Sequence, residues 1–173
     1  MIRLFATLLM VMVLLFAGSA MAKPAPEFEL DDLEGDTYSL DDLVEEHDVV
    51  LIDFWEVGCI PCNKLLVYLN EYYDELKDDG LGMYIISRDT SLTESGVEPF
   101  FKTNKYPWKV LRDGDQEVSK DYGVKASPAT FIIVDGEIVY QHYGYSNGQE
   151  EEIYEAIKGA LAGEDLGELE ERK

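Results

Sequence analysis

Residues 49–62 read VVLIDFWEVGCIPC, and this stretch decides the fold. The apolar, β-branched run from Val49 to Trp55 is typical of a buried strand, and it breaks at Gly58. Two cysteines then open a segment with helical spacing, three residues apart and nearly one turn along the same face. Their thiols can close a disulfide over a very short loop. Because so short a loop adds little stability, the sequence predicts a bond that opens and closes.

The two cysteines are predicted to have different roles. A thiol is a nucleophile only as the thiolate, and the free N–H groups and positive dipole end of a helix N-terminus favour that charge. Cys59 lies where this effect is greatest, so we expect it to be the nucleophile. Cys62 lies one turn deeper and suits the resolving thiol, which attacks a mixed disulfide and releases the product. Pro61 fits a first helical turn, where its missing N–H leaves no bond unmade.

Two side chains near the cysteines are further candidates. Asp53 interrupts an otherwise apolar strand, and a carboxylate buried there has a raised pKa unless it is paired. We interpret Asp53 as the proton acceptor for Cys62, the alternative being a position at an exposed strand edge. Trp55 comes just before the loop, where we expect it to form a packing wall, and we also place it among the substrate-binding residues.

The length of 173 residues fits one domain preceded by an export signal. Arg3, a following apolar run and a small-x-small motif ending at Ala22 predict a signal peptide over residues 1–22. The run is short for a membrane span, which needs about 20 residues. We therefore expect cleavage after Ala22, with an uncleaved anchor as the alternative. The sequence predicts an exported protein, in the periplasm or at the outer face of the cell membrane, with a domain over 23–163 and an acidic tail over 164–173.

The charge balance excludes two classes of partner. With 36 acidic and 14 basic residues, the formal net charge is −22, which repels nucleic acid and anionic membranes. The acidic residues are spread along the chain, as is typical of solvated faces, and indicate a docking surface for a basic partner only weakly. Two cysteines in an exported protein ordinarily suggest a structural disulfide, but their short spacing favours a redox-active pair.

The remaining sequence predicts alternating strands and helices. In chain order we expect a hairpin over 28–40 with Gly35 in its turn, a helix over 41–46, a strand over 49–55, a helix from Cys59 to Gly80, a strand over 81–87, a helix over 97–104, a short strand over 108–112, a helical segment over 116–122, a hairpin of strands 129–134 and 137–143, and a last helix through 153–161. The fold class is therefore α/β, a central mixed β-sheet flanked by helices.

Two groups of motifs carry a family resemblance. They are Asp53-Phe54-Trp55 before the Cys59-x-x-Cys62 pair, and Tyr122-Gly123-Val124 leading to Ser127-Pro128-Ala129-Thr130-Phe131. Over residues 26–161 the chain resembles the thioredoxin superfamily, and within it the exported TlpA and ResA branch of thiol-disulfide oxidoreductases. A lone CxxC is a weak signal, whereas CxxC after a buried strand, with such a proline later before a hairpin, is a specific one.

The resemblance implies a fold, a reaction and partners. It implies a thioredoxin-like fold with an N-terminal hairpin and an insertion over 87–108, and a cis peptide bond at Pro128 that presents the Ser127 backbone to an extended substrate strand. It also implies a monomer that reduces protein disulfides through the Cys59–Cys62 redox pair, with no other cofactor. The electrons would come from a DsbD- or CcdA-like membrane protein. The implied substrates are apocytochrome c cysteines, in cytochrome c maturation, or the thiols of copper sites.

The chain also departs from the family pattern. Gly58 stands where thioredoxin has a tryptophan, which leaves Cys59 more open. The lysine that pairs with the buried aspartate of thioredoxin has no counterpart, because 83–87 carries no charge. Leu65 replaces a glutamate of the ResA-like pattern, so Asp53 would transfer protons alone, with Glu56 as a reserve candidate.

Three other functions are weighed against this one. A copper-binding chaperone would use both thiolates and His142, but copper-delivering relatives space their cysteines by three residues, and a cis-proline beside the thiols would block metal. We expect His142 to be a half-exposed strand residue. Structural zinc would need Cys59, Cys62, His47 and His142, which lack paired-histidine spacing, so no metal site is predicted. A peroxidase of the peroxiredoxin pattern would have threonine where Glu56 stands.

Overall fold

The computed structural model describes residues 23–164 and Leu166. The predicted signal peptide of residues 1–22 and most of the predicted acidic tail lie outside the described residues. Leu166, inside that tail, packs against the protein core. Within the described part of the chain, no helix combines the length and apolar character needed to cross a membrane.

The described residues form eight strands and five α-helices. The strands are β1 (Lys23–Pro24), β2 (Glu29–Asp31), β3 (Thr37–Ser39), β4 (Val49–Trp55), β5 (Leu81–Ser87), β6 (Lys109–Arg112), β7 (Ala129–Val134) and β8 (Glu137–Tyr143). The helices are α1 (Leu40–Glu46), α2 (Ile60–Leu76), α3 (Val97–Asn104), α4 (Glu117–Asp121) and α5 (Gln149–Leu161). The predicted central strand and C-terminal hairpin are confirmed residue for residue, whereas the first long helix begins at Ile60 rather than at Cys59, which is its N-cap.

Six strands form one mixed sheet in the order β1-β8-β7-β4-β5-β6. Strands β4, β5 and β6 run parallel, and β7 pairs antiparallel with both β4 and β8. The β2–β3 hairpin is separate, and Gly35 in its turn has φ +92°, a conformation that favours glycine. The predicted mixed sheet with an N-terminal hairpin is confirmed. It places the end of β4, and therefore the cysteines, at the carboxyl edge of the parallel strands.

Helices cover both faces of the sheet, so every residue of β4 is buried. Alternate residues of the strand point to opposite faces. Val49, Leu51 and Trp55 face a core that contains Cys62 and is built from α2, α3 and α5. Residues 50, 52 and 54 face the second core, built from α1, α4 and the hairpin. Asp53 has the parity of Leu51 and Trp55, so its carboxylate lies on the side of the sheet that carries Cys62.

Candidate active site around Cys59 and Cys62

Cys59 and Cys62 form a disulfide at the start of α2, with their Cα atoms 5.3 Å apart. The Cys62 N–H donates to Sγ of Cys59 over 3.2 Å, which is the bond of an N-capping side chain. Cys59 is half-buried and Cys62 is fully buried. A reagent from solvent can therefore reach the sulfur of Cys59 and not that of Cys62. A negative charge on Cys59 would be stabilised by this N–H and by the helix dipole.

The loop before β7 lies against the disulfide. The Ser127–Pro128 peptide bond is cis, as the family resemblance implies. The Ser127 carbonyl oxygen is 3.6 Å from Sγ of Cys59, and the Pro128 carbonyl accepts a hydrogen bond from Gly144. The loop is thus fixed on the strand side and presents the backbone of Ser127 beside the accessible sulfur.

Asp53 is fully buried, so the alternative of an exposed strand edge is wrong. Its Oδ1 accepts a hydrogen bond of 2.7 Å from the Thr130 hydroxyl. Its Oδ2 has no hydrogen-bond partner among the described residues. Burial raises the pKa of Asp53 to about 7, and the bond from Thr130 offsets only part of that effect. Asp53 can therefore take up or release a proton near neutral pH.

A buried arginine next to the active site was missed by the sequence reasoning. Arg88, only 7% exposed, follows β5 directly at the carboxyl edge of the sheet. Its Nε donates to the Ser119 hydroxyl over 3.1 Å, and its Nη1 donates to the Ser127 hydroxyl over 3.2 Å. Its Nη1 also lies 3.9 Å from the carboxylate of Glu56, which is half-exposed. One side chain thus joins the loop before Cys59, the proline loop and α4.

Asp89, the next residue, holds the loop that leads into the cysteines. Its carboxylate accepts the Val57 N–H at 3.0 and 3.2 Å, and accepts the Ser87 hydroxyl at 2.9 Å. Gly58 then turns the chain with φ +85°, so a tryptophan in this conformation would strain the backbone. One feature of the sequence marks Arg88 and Asp89. They belong to a run of polar residues directly after the buried parallel strand β5, and functional sites of α/β proteins concentrate at such strand ends.

The comparisons with known proteins agree with this geometry. The profile of the AhpC/TSA family matches residues 21–142. The chain belongs to the AhpC/TSA family. It is 33% identical over 135 residues to thiol-disulfide oxidoreductase ResA of Bacillus thuringiensis subsp. konkukian, across 78% of this chain and 76% of that protein. With ResA of Halalkalibacterium halodurans it shares 32% identity over 148 residues, 83% of this chain and 82% of that one.

A solved structure supports the same assignment. A thiol:disulfide interchange protein from Bacteroides sp. matches with a TM-score of 0.66 and 27% identity, covering 83% of this chain and 91% of that one. The protein is a ResA-like thiol-disulfide oxidoreductase of thioredoxin-like fold, and the predicted family, fold and reaction class are confirmed. This AhpC/TSA-family member therefore acts on protein substrates.

Trp55 does not form a substrate surface in this enzyme. It is fully buried, so its placement among the substrate-binding residues is corrected, and its other interpretation as a packing wall describes it. Its indole N–H donates to Oδ1 of Asn63 in the first turn of α2 over 3.0 Å. Its ring lies 4.8 Å from that of Phe100 and 5.1 Å from that of Phe101. Trp55 thus ties α3, which belongs to the predicted insertion, to the start of the cysteine helix.

Replacing Trp55 with phenylalanine is expected to lower the free energy of unfolding by about 1–3 kcal/mol, from lost packing and an unpaired Asn63 oxygen. Urea denaturation monitored by circular dichroism measures this. Trp108→Phe is the matched control, because Trp108 is also buried but its indole nitrogen has no hydrogen-bond partner among the described residues. Equal stability of the two variants would contradict a role for the bond to Asn63.

The histidines are not placed for metal binding with the cysteines. His142, predicted half-exposed, is fully buried on β8, where it pairs in register with Thr130. His47 lies just before the amino end of β4, while the cysteines follow its carboxyl end. Over the described residues, no group of three or more His, Cys, Asp or Glu side chains is arranged to hold a metal ion. No observation here favours copper or zinc over disulfide exchange.

Proposed function

We propose that this oxidoreductase reduces disulfide bonds of exported proteins, with Cys59 as the nucleophile and Cys62 as the resolving thiol. The observation that carries the proposal is the asymmetry of the pair. Cys59 is accessible and receives an N–H at the start of a helix, whereas Cys62 is fully enclosed. An enclosed thiol cannot reach a substrate sulfur, but it can attack the adjacent Sγ of Cys59 once that atom is in a mixed disulfide. The order of the two steps follows from this difference in access.

The reaction transfers two electrons from the enzyme dithiol to the substrate disulfide. The Cys59 thiolate attacks one sulfur of the substrate, which forms a mixed disulfide and releases the other substrate sulfur as a thiolate. Cys62 then loses its proton and attacks Sγ of Cys59. The Cys59–Cys62 bond forms, and the second substrate thiolate leaves. Asp53 lies on the same side of the sheet as Cys62 and accepts the proton of that thiol, since burial brings its pKa to about 7.

The substrate segment is proposed to bind along the proline loop. The Ser127 carbonyl beside Sγ of Cys59 offers a backbone acceptor to an extended chain, and Pro128 fixes the direction of that carbonyl. Val57 and Ile60 expose apolar surface on either side of Cys59, at 37% and 70% exposure. Such a surface suits an unfolded or flexible segment, whose cysteines can reach the sulfur.

The cellular setting is proposed from the sequence. Residues 1–22 have the pattern of a signal peptide, and residues 23–163 then form the working domain with an acidic tail over 164–173. The protein would act as a monomer in the periplasm or at the outer face of the membrane. Its electrons would come from a DsbD- or CcdA-like membrane protein, and its substrates would be apocytochrome c cysteines or copper-site thiols.

The test is to trap the mixed disulfide. In a Cys62→Ser variant, attack by Cys59 proceeds but release does not, so we expect the enzyme to stay covalently joined to a substrate. The reduced Cys62→Ser protein is mixed with an unfolded model protein that contains one disulfide. The product is analysed by non-reducing electrophoresis and peptide mass spectrometry. The linked peptide is expected to contain Cys59.

A Cys59→Ser variant under the same conditions is the control and is expected to form no adduct. Both variants lose the same short-loop disulfide, so any effect of that bond on folding is common to them. An adduct through Cys62 in the Cys59→Ser variant, or no adduct in the Cys62→Ser variant, would overturn the assigned roles.

A further inference from the structure

We propose that Arg88 is a positioning residue for disulfide exchange: it holds Ser127 against Cys59 and places a positive charge beside the thiolate that Cys59 forms when reduced. The proposal rests on the proposed function, because it takes Cys59 as the nucleophile. Nothing in the sequence pattern around the cysteines marks Arg88, which lies 26 residues beyond Cys62 in the chain.

The contacts of Arg88 converge on the accessible sulfur. Its Nη1 donates to the Ser127 hydroxyl over 3.2 Å, and the carbonyl oxygen of that same residue is 3.6 Å from Sγ of Cys59. Ser127 therefore contacts both the guanidinium and the sulfur. The backbone N–H of Arg88 donates to the Trp55 carbonyl, which anchors the arginine to the strand that leads into the cysteines. A shift of this side chain would move both loops that border Cys59.

The guanidinium is itself held in place by other groups. Its Nε donates to the Ser119 hydroxyl, which in turn donates to the Asp113 carboxylate. The Arg88 carbonyl accepts a hydrogen bond of 2.8 Å from the Gln116 side chain. Two different nitrogens of the guanidinium thus donate hydrogen bonds to two different serines, Ser119 and Ser127. The planar guanidinium is held in one orientation by this pair of bonds, which a single ammonium group could not reproduce.

The charge of Arg88 is not matched by a close ion pair. Its nearest carboxylate, Glu56, is 3.9 Å away and half-exposed, so water screens that interaction. The other buried charged groups near it are carboxylates, namely Asp89, Asp113 and Asp53. The lysines on the surrounding elements, Lys64 on α2, Lys120 on α4 and Lys125 before the proline loop, are exposed. Among the described residues, Arg88 is the only buried arginine or lysine. A thiolate at Cys59 would therefore have one favourable side-chain charge close to it.

The experiment measures the ionisation of Cys59 directly. Cys62→Ser leaves Cys59 as the single thiol of the chain, since the sequence has two cysteines. The rate of alkylation by iodoacetamide is followed against pH in this background, with Arg88→Gln added. The midpoint of the profile is expected to rise by about half a unit or more, because a nearby opposite charge favours the thiolate. Arg112→Gln is the matched control, since it removes an equal charge from an exposed position on β6.

A purely structural role for Arg88 predicts a different result. It predicts lower stability in Arg88→Gln with an alkylation midpoint equal to that of Arg112→Gln, and this outcome would overturn the proposal. Circular dichroism first establishes that each variant is folded. Should Arg88→Gln fail to fold, Arg88→Lys gives the test, because it keeps the charge and loses the fork. That variant is expected to keep the midpoint and to lose about tenfold in the rate of disulfide exchange. A rate equal to that of wild type would overturn the proposal.

The failure of this inference is distinguishable from failure of the proposed function. If Cys59→Ser stays active, Cys59 is not the nucleophile and the proposed function fails. If Cys59→Ser is inactive while Arg88→Gln and Arg112→Gln share one midpoint, only the role of Arg88 is refuted.

Discussion

Replacing Cys59 with serine is expected to reduce the rate of disulfide reduction on the order of 10³-fold or more, to that of the uncatalysed exchange. The serine hydroxyl is not ionised at neutral pH and cannot form a disulfide, so the first bond of the reaction is never made. Cys62 cannot substitute for it, because Cys62 is fully buried. The loss of activity is measured as the rate at which the enzyme catalyses the reduction of insulin by a thiol donor, followed by the turbidity of the reduced insulin.

Cys62→Ser separates this effect from loss of folding. It is also expected to lack turnover, but it consumes up to one equivalent of substrate by forming the mixed disulfide, whereas Cys59→Ser consumes none. Both variants lose the same bond, so similar thermal melting curves are expected for them. Sustained turnover by Cys59→Ser would show that another group attacks the substrate, and the roles assigned from burial would then be wrong.

The elements that carry the cysteines follow from local sequence. The run from Val49 to Trp55 is fully buried because helices cover both faces of the sheet, and a continuous apolar run predicts that arrangement. Gly58 adopts a positive φ where the strand turns into the helix, so the break in the pattern marked a real change of direction. Asp135-Gly136 likewise forms the turn between β7 and β8, with positive φ at both residues.

The contacts that complete the site depend on long-range packing. Arg88 and Ser127 are 39 positions apart and meet only because β5 and β7 both flank β4 in the sheet. A single sequence does not give that strand order, although polar residues after a buried parallel strand were a usable signal. The burial of His142 differs from the prediction for another reason. His142 continues the alternation of buried Ile138 and Tyr140, and this period of two, rather than the polarity of the side chain, decides its burial.

Asp53→Asn is expected to change how stability depends on pH. In the folded protein Asp53 keeps its proton up to about pH 7, whereas in the unfolded chain it loses the proton near pH 4. Between these values the folded state binds one proton more, so wild-type stability falls as the pH rises through this window. The asparagine side chain does not titrate. The free energy of unfolding of Asp53→Asn relative to wild type is therefore expected to rise on the order of 4 kcal/mol between pH 4 and pH 8.

Urea denaturation of the oxidised proteins at both pH values measures this difference. The titrations of other carboxylates are common to the two proteins and largely cancel in the comparison. Asp121→Asn, which removes the same charge from an exposed position of α4, is the control and is expected to show little change with pH. A relative stability of Asp53→Asn that does not change between pH 4 and pH 8 would mean that the buried carboxylate stays ionised.

The same substitution tests the proton transfer that Asp53 is proposed to perform. Asparagine keeps the shape and can accept the hydrogen bond from Thr130, but it cannot take the proton of Cys62. The resolving step is expected to slow by about 10²-fold, the usual size of a general-base contribution. The pH profile of Cys59 alkylation is expected to change little by comparison, because attack by the Cys59 thiolate does not require Asp53 to accept a proton. Rapid-quench measurement of the mixed-disulfide lifetime would show the effect, and an unchanged lifetime would leave Cys62 to lose its proton by another route.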